Sequence, residues 1–167
     1  YIVAQGSICA GGDTAAAHLI KDGGNNRAFM HYFNCVKTVA TGTGATRDIV
    51  TVTGLGSFHQ SIIIVEYGTR LQAVSDQTTG VVHRAYGINR FNSGTLTVTE
   101  TNAVYGSTNS LDDALINIEV VSNTEFRVRL TFASNLGTSS FASGMVRGFC
   151  VNDQFNTISF DHGYGGG

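Results

Sequence analysis

Residues 115–132 read LINIEVVSNTEFRVRLTF, and this stretch decides the fold class. From 126 to 132 every second residue is apolar, while Arg127 and Arg129 lie between them, which is the period of a half-buried β-strand. Residues 115–121 alternate in the same way. The segment 122–125 between the two runs is polar and short, so the stretch predicts an antiparallel hairpin. Arg127 and Arg129 then lie on a polar face, which we expect to be solvated, with a partner-binding surface as the alternative.

Similar segments occupy most of the chain, separated by clusters of Gly, Asn, Ser and Thr. Residues 58–67 are the most hydrophobic and predict a central strand buried on both faces, and Gly87 indicates a bulge or a bend. About eight strands without room for crossover helices predict an all-β fold, either an antiparallel β-sandwich or a barrel. The predicted strands are 29–40, 48–53, 58–67, 81–91, 95–101, 115–121, 126–132 and 145–151, with 158–160 extending a sheet.

A chain of 167 residues suits a single domain. We divide it into an N-terminal arm or linker (1–28), a sandwich (29–161) and a flexible Gly-rich tail (162–167). Within the arm, Asp13 or Thr14 can cap a short helix over 15–21 that ends at Gly23. The alternative is an extended arm, because so short a helix is marginal without packing.

The composition excludes several functions and poses one structural problem. A net charge of −2 and a pI of about 6.2 argue against nucleic-acid binding, and no apolar run is long enough to predict a membrane span. Pro and Lys are common guards of exposed sheet edges, but the chain has no Pro and only Lys21 and Lys37. We therefore expect the edges to be covered by an assembly or by the N-terminal arm.

No motif of a hydrolase, a metalloprotease or a P-loop occurs, so we predict no enzyme and assign no catalytic residue, cofactor or metal. Three weaker alternatives stay open. Calcium could bind at the acidic loops. The strand histidines could meet on a trimer axis and bind a metal. One disulfide could form, although we prefer three free thiols. The residues concerned are Asn109, Asp112, Asp113, Asn152 and Asp153 for calcium, His31, His59 and His83, and the cysteines Cys9, Cys35 and Cys150.

Two segments, NTEFRVRL at 123–130 and SGMVRGFCVND at 143–153, stand within a surface built from Thr, Ser, Asn and Gly. In the composition of the polar surface and in strand order, residues 29–153 resemble the distal β-domains of bacteriophage tail fibres and other virion surface proteins. The resemblance implies a jelly-roll-like sandwich, usually trimeric, that decorates a virion or binds a host-surface glycan. It carries over no catalytic residue.

We therefore expect a virion structural protein (a tail fibre, spike or capsid decoration subunit) that acts in assembly and host attachment at the virion surface. Its partners would be copies of itself, with a trimer favoured, and other virion proteins. The alternatives are an extracellular filament subunit that donates residues 1–5 as a strand, and a free lectin-like module. Three loops (77–80, 102–109 and 135–140) are the candidate binding segments. Their candidate residues are Gln77, Thr78, Thr79, Tyr105, Thr108, Asn109, Asn135 and Thr138.

Overall fold

Two antiparallel sheets face each other in the computed structural model, which describes residues 17–22, 24–37, 45–72, 77–106 and 113–161. Sheet A has six strands in the order β1-β2-β9-β4-β5-β6, and sheet B has four in the order β10-β3-β8-β7. The strands are β1 (Ala17–Asp22), β2 (Asn25–Val36), β3 (Ala45–Thr53), β4 (Gln60–Gln72), β5 (Gln77–Asn89), β6 (Thr97–Gly106), β7 (Ala114–Ser122), β8 (Glu125–Phe132), β9 (Phe141–Asn152) and β10 (Thr157–Phe160).

The strand order makes the fold a jelly-roll-like sandwich. The chain crosses between the sheets at each step from β2 to β3 to β4, and returns late to insert β8 beside β3 and β9 between β2 and β4. The meander β4-β5-β6 stays within sheet A. All strand pairs are antiparallel, and the two sheets are separate in the described chain, so the sandwich is confirmed over the barrel.

The core lies between the sheets because each strand turns alternate residues inward. In β8 the four apolar residues from Phe126 to Phe132 are buried, while the residues between them are half-buried on the outside. The inward residues of sheet A that pack in the same core include Phe33, Val65 and Val146. Burying each large apolar side chain contributes about 1.5–3 kcal/mol, so this interlayer core is the main stabilising feature.

The hairpin predicted at 115–132 is confirmed: β7 and β8 are antiparallel, and Ser122 lies opposite Glu125. Three other expectations need correction. Residues 17–22 form β1 rather than a helix, so the extended alternative holds for them. Gly87 is no bulge, because it pairs with Ile62 and Thr99 without a shift of register. Strand β4 is central but alternates, and its residues such as Ile62 are only half-buried on the outer face.

The N-terminal segment is part of the sheet where it is described. β1 pairs with residues 25–31 of β2 and so covers that part of its edge, while β1 itself becomes the outermost strand of sheet A. β2 itself begins at Asn25, inside the predicted arm. The division of the chain at 28/29 stays a prediction, because residues 1–16 and the tail 162–167 lie outside the described residues. In the described chain no helix is long and apolar enough to cross a membrane.

Candidate functional site

The described parts of the three candidate segments lie at one end of the sandwich, which we call the loop end. It is the end where β8 is joined to β9 by residues 133–140. Two of the predicted loops need correction, because residues 77–80 belong to β5 and residues 102–106 to β6, and 107–109 lie outside the described residues. At the loop end Gln72 at the end of β4 lies opposite Gln77, and Gly80 lies opposite Gly106 at the end of β6. The amide of Gly137 donates to the carbonyl oxygen of Gln72 at 2.6 Å, which joins the 135–140 loop to the β4–β5 turn.

The candidate residues differ in how far they face solvent. Thr79, Asn135 and Thr138 are exposed, and Tyr105 is 65% exposed. Thr78 is half-buried. Gln77 begins β5, and its side chain is not described; Thr108 and Asn109 lie outside the described residues. The loop end therefore offers one exposed aromatic ring among hydroxyl and amide groups.

A buried lysine holds the 133–140 loop in place. The ammonium of Lys37, which is 0% exposed, donates to the carbonyl oxygens of Ala133 at 2.9 Å, Ser134 at 3.1 Å and Leu136 at 2.5 Å. Burial lowers the pKa of Lys37. The three acceptors have the opposite effect, because they match the three N–H bonds of the charged ammonium and so stabilise that form. The Lys37 amide also donates to the carbonyl oxygen of Ser140 at 2.8 Å. Exposed Asn135 and Thr138 thus stand on a loop with a fixed base.

The sequence analysis placed Lys37 inside the predicted strand 29–40 and did not identify its role as an anchor of the loop. The signal was present but weak, since Lys37 is one of only two lysines in the chain. A second anchor comes from Ser140, whose buried hydroxyl accepts a hydrogen bond from the Gln72 amide at 2.8 Å. Together the two anchors connect the loop to both β2 and β4.

A second arrangement, at the opposite end, has the order of a catalytic triad. The Nε2 atom of His59 lies 2.8 Å from Ser61 Oγ, and its Nδ1 lies 3.9 Å from the Asp153 carboxylate. However, Ser61 is only 2% exposed and His59 is fully buried, with the ring of Phe155 packed 5.5 Å away. A nucleophile must reach its substrate, so these three side chains are best explained as an internal polar network. Burial lowers the pKa of His59, so this histidine is neutral near pH 7.

The metal-site alternatives gain no support where they can be examined. Among the described residues no three His, Cys, Asp or Glu side chains group as metal ligands. His31 and His59 are buried, and His83 contacts Glu66 at 3.4 Å. At the Asn152–Asp153 loop, the Arg27 guanidinium already donates to the carbonyl oxygen of Asp153. Asn109 and Asp112 lie outside the described residues, and Asp113 is half-buried at the start of β7.

The cysteines that are described are free thiols, Cys35 buried and Cys150 half-buried. Burial raises the pKa of each thiol to about 12, so both are protonated near neutral pH. Cys9 lies outside the described residues. The structure therefore contains no disulfide between the two described cysteines.

The expected polar face of sheet B is present as a network of ion pairs. Arg129 binds Asp48 at 2.6 Å and Glu119 at 2.8 Å. Arg127 binds Glu125 at 2.9 Å and Asp48 at 3.3 Å. Hydrogen bonds from Arg129, above all, hold the pKa of Asp48 below its usual value. The charges on this face satisfy one another, which is the arrangement of a solvated sheet surface.

One exposed feature was not predicted. Phe58 and Phe91, placed by sequence reasoning at strand ends, lie in two loops opposite the loop end, with their rings in an edge-to-face pair at 5.4 Å. Buried Arg90 fixes these loops by donating to the carbonyl oxygens of Leu55 at 2.8 Å and Gly56 at 3.1 Å. The periodicity of the sequence carries no signal for such a pair, because the two loops are joined only by the fold.

No protein-family model matches the chain, and no curated protein matches it. Among solved structures, the chain is similar to the tailspike protein of Acinetobacter baumannii phage AM24, with 11% identity, 77% of this chain and 27% of that chain covered, and a TM-score of 0.40. It is also similar to the tailspike protein of Acinetobacter phage vB_ApiP_P1, with 12% identity, 78% and 22% coverage, and a TM-score of 0.35. The chain thus spans about a quarter of the length of these tailspikes.

Proposed function

We propose that the chain is a virion structural protein, a subunit of a tail fibre, spike or capsid decoration, that acts in assembly and in attachment to the host surface. One observation carries the attachment role. The start of β5 and the end of β6 meet the 135–140 loop at the loop end, and Lys37 fixes that loop from beneath. Binding sites are commonly built in this way, as loops on a rigid scaffold.

The chemistry of the loop end suits a glycan of the host surface. Tyr105 offers an exposed ring on which a sugar can stack, and Thr79, Asn135 and Thr138 offer hydroxyl and amide groups for its hydrogen bonds. Thr79 and Phe141, the residue after the 135–140 loop, both lie opposite Arg70. Two strand spacings separate them, about 10 Å, which is the span of a short oligosaccharide.

The proposal assigns binding without turnover, in a homo-oligomer for which a trimer is favoured, together with other virion proteins. The filament alternative needs residues 1–5 as a donated strand, and these lie outside the described residues. In the same chain β1 already pairs with the edge of β2 that such a strand could extend. A lectin-like module would use the same loop end for binding. It would differ from a virion subunit in its assembly, not in its binding site.

The test is binding of the purified full chain to an array of bacterial surface glycans. We expect a glycan whose affinity falls at least tenfold in Tyr105→Ala and in the double variant Asn135→Ala/Thr138→Ala. Thr157→Ala, an exposed threonine at the opposite end, is the matched control and should bind like the wild type. Binding that survives the loop substitutions, or no binding to any bacterial glycan, would contradict the attachment role.

A further inference from the structure

The outer face of sheet A has a low area beside the loop end. Along β4, the odd-numbered residues from 61 to 71 are buried, so Glu66, Gly68 and Arg70 stand in a row on the outer face. Gly68 has no side chain, whereas its two neighbours in this row are long. Apart from its chain neighbours, the nearest described atom to a Cβ added at Gly68 would be the carbonyl oxygen of Gly80, at 3.9 Å. The space over this glycine is therefore open.

The low area continues on the neighbouring strands. Gly68 lies directly opposite Ser143 on β9 and Val81 on β5, and Val81 in turn lies opposite Tyr105 on β6. Side chains that lie directly opposite each other share one face of a sheet. Ser143, Gly68, Val81 and Tyr105 thus form a band across the sheet, about 14 Å long over three strand spacings, which we call the cross-strand band. It begins at two small residues and ends at the exposed ring of Tyr105.

Half-exposed polar groups border the band on the side away from the loop end. Glu66 accepts a hydrogen bond from Arg147 at 3.0 Å through Oε2, and its Oε1 lies 3.4 Å from His83 Nδ1. Each of these three side chains is 40% or 41% exposed. Glu66 lies two residues from Gly68 on the same face, a separation of about 7 Å. A ligand seated over the glycine therefore comes within reach of these donors and acceptors.

A sugar suits this combination better than the other ligands that a sheet face can take. Tyr105 and Val81 offer apolar surface to one side of a sugar ring, and the polar groups offer charge-assisted hydrogen bonds to its hydroxyls. The charges of Glu66 and Arg147 offset each other, which does not favour a polyanion such as nucleic acid. A purely apolar partner would bury these half-exposed charges without giving them new partners, which is unfavourable.

We propose that the cross-strand band is a second part of the glycan site, in which a sugar ring lies over Gly68 and Glu66 reads its hydroxyl pattern. Arg147 and His83 hold the Glu66 carboxylate in position for this role. Binding at the band rests on the proposed attachment role and deepens it. Tyr105 and Gly68 lie two strand spacings apart, about 10 Å, so the ligand is a chain of linked sugars and not a single terminal sugar.

The test is binding of the full chain to bacterial lipopolysaccharides and capsular polysaccharides, each offered as the polymer and as its component monosaccharides. Gly68→Val fills the space over the band, and it should keep the fold because Gly68 has no left-handed backbone conformation and a β-branched residue suits a strand. We expect its affinity for the polymer to fall at least tenfold. Gly87→Val, opposite Ile62 on the same face, also enters open space and is the matched control, which should bind like the wild type.

Two further measurements test the role of Glu66 and the length of the ligand. Glu66→Gln keeps the shape of the side chain but removes its charge, and we expect about a tenfold loss of affinity for the polymer. Glu119→Gln is the matched control, because Glu119 is equally exposed and pairs with Arg129 on sheet B. The wild type should bind each monosaccharide at least tenfold more weakly than the polymer.

The outcomes separate the band from the attachment role. Binding that Tyr105→Ala weakens but Gly68→Val and Glu66→Gln leave unchanged would overturn the proposal for the band alone. Absence of binding to every polymer would contradict both. A change of oligomer mass in Gly68→Val with unchanged affinity would assign the face to a protein partner and also overturn the proposal. If Gly68→Val does not fold, Gly68→Ala and Glu66→Gln decide, and wild-type affinity in both would contradict binding at the band.

Discussion

The phenolic oxygen of Tyr67 lies 2.9 Å from the carbonyl oxygen of Ala114, to which it donates a hydrogen bond across the sandwich. Ala114 begins β7, an edge strand of sheet B. Two residues along, the Ile116 carbonyl accepts hydrogen bonds from Tyr86 and from buried Arg84. Alternate carbonyls of this edge strand thus have partners from sheet A, which supplies part of the edge protection that Pro and Lys give in other sheets.

Replacing Tyr67 with Phe should therefore lower stability. The ring remains, but the buried Ala114 carbonyl loses its donor, and we expect a loss of about 1 kcal/mol. In a domain of this size that corresponds to a fall in Tm of about 2–4 °C. Thermal unfolding followed by circular dichroism measures it. Tyr32→Phe, at a half-exposed tyrosine, is the control and should shift Tm by less; equal shifts in the two variants would contradict the role of the hydrogen bond.

The strands could be predicted because their signals are local. Alternation from Glu125 to Phe132 and the polar turn before it lie within one short stretch, and the hairpin register followed from them. The helix predicted over residues 17–21 was wrong because pairing with another strand decides the conformation there. Ala, Leu and Lys favour a helix, but pairing of β1 with β2 decides the conformation, and tertiary contacts routinely override propensity.

The candidate site was predictable only in part. The turn-rich composition correctly indicated a loop at 135–140, but residues 77–80 and 102–106 are strand ends, and the strand directions bring all three segments to one end. The groups that fix the 135–140 loop could not be found from the sequence, because Lys37 meets its three carbonyls across 96 to 99 residues. The same is true of Asp153 and His59, and of the ring pair of Phe58 and Phe91.

Removal of the Lys37 ammonium should loosen the loop end. In Lys37→Met the side chain keeps its approximate length, but three buried carbonyls lose their donor, and we expect a loss of about 1–3 kcal/mol. Hydrogen exchange should quicken at Gly137 and Ser140, whose amides donate to Gln72 and Gly137. Thr138→Ala, an exposed residue of the same loop, is the control. Wild-type exchange in Lys37→Met would show that the loop does not depend on the ammonium.

Two glycines of β9 should resist substitution, whereas one of β5 should tolerate it. A Cβ at Gly148 would overlap the ring of Phe29, and one at Gly144 would lie 2.5 Å from the Cα of Tyr67. Overpacking of this kind costs about 1–3 kcal/mol, and more where backbone must move, so Gly144→Ala should be the most damaging. Gly87→Ala enters open space and is the control. Urea unfolding of the three variants measures the free energy of unfolding that each one loses. An equal loss in all three variants would contradict this prediction.

The ion pairs of sheet B predict a pH dependence that a single substitution can isolate. The pKa of Asp48 is held below its ordinary value of 3.8, chiefly by its hydrogen bond from Arg129. The folded state therefore binds the proton less readily than the unfolded state. The stability that Asp48 contributes is then complete well above pH 3.8 and is lost as the pH falls through the lower folded pKa.

Asp48→Asn removes the titrating carboxylate and should cost about 1 kcal/mol at pH 7, the upper end of the range for half-exposed pairs. The difference from the wild type should shrink as the pH falls below 3.8 and vanish in stronger acid, where the wild-type carboxyl is also uncharged. Chemical unfolding at a series of pH values measures it. Thr46→Ala, an exposed residue of β3, is the control, with no pH-dependent difference expected. A constant difference between Asp48→Asn and wild type at every pH would mean that packing, and not the charge of Asp48, stabilises this face.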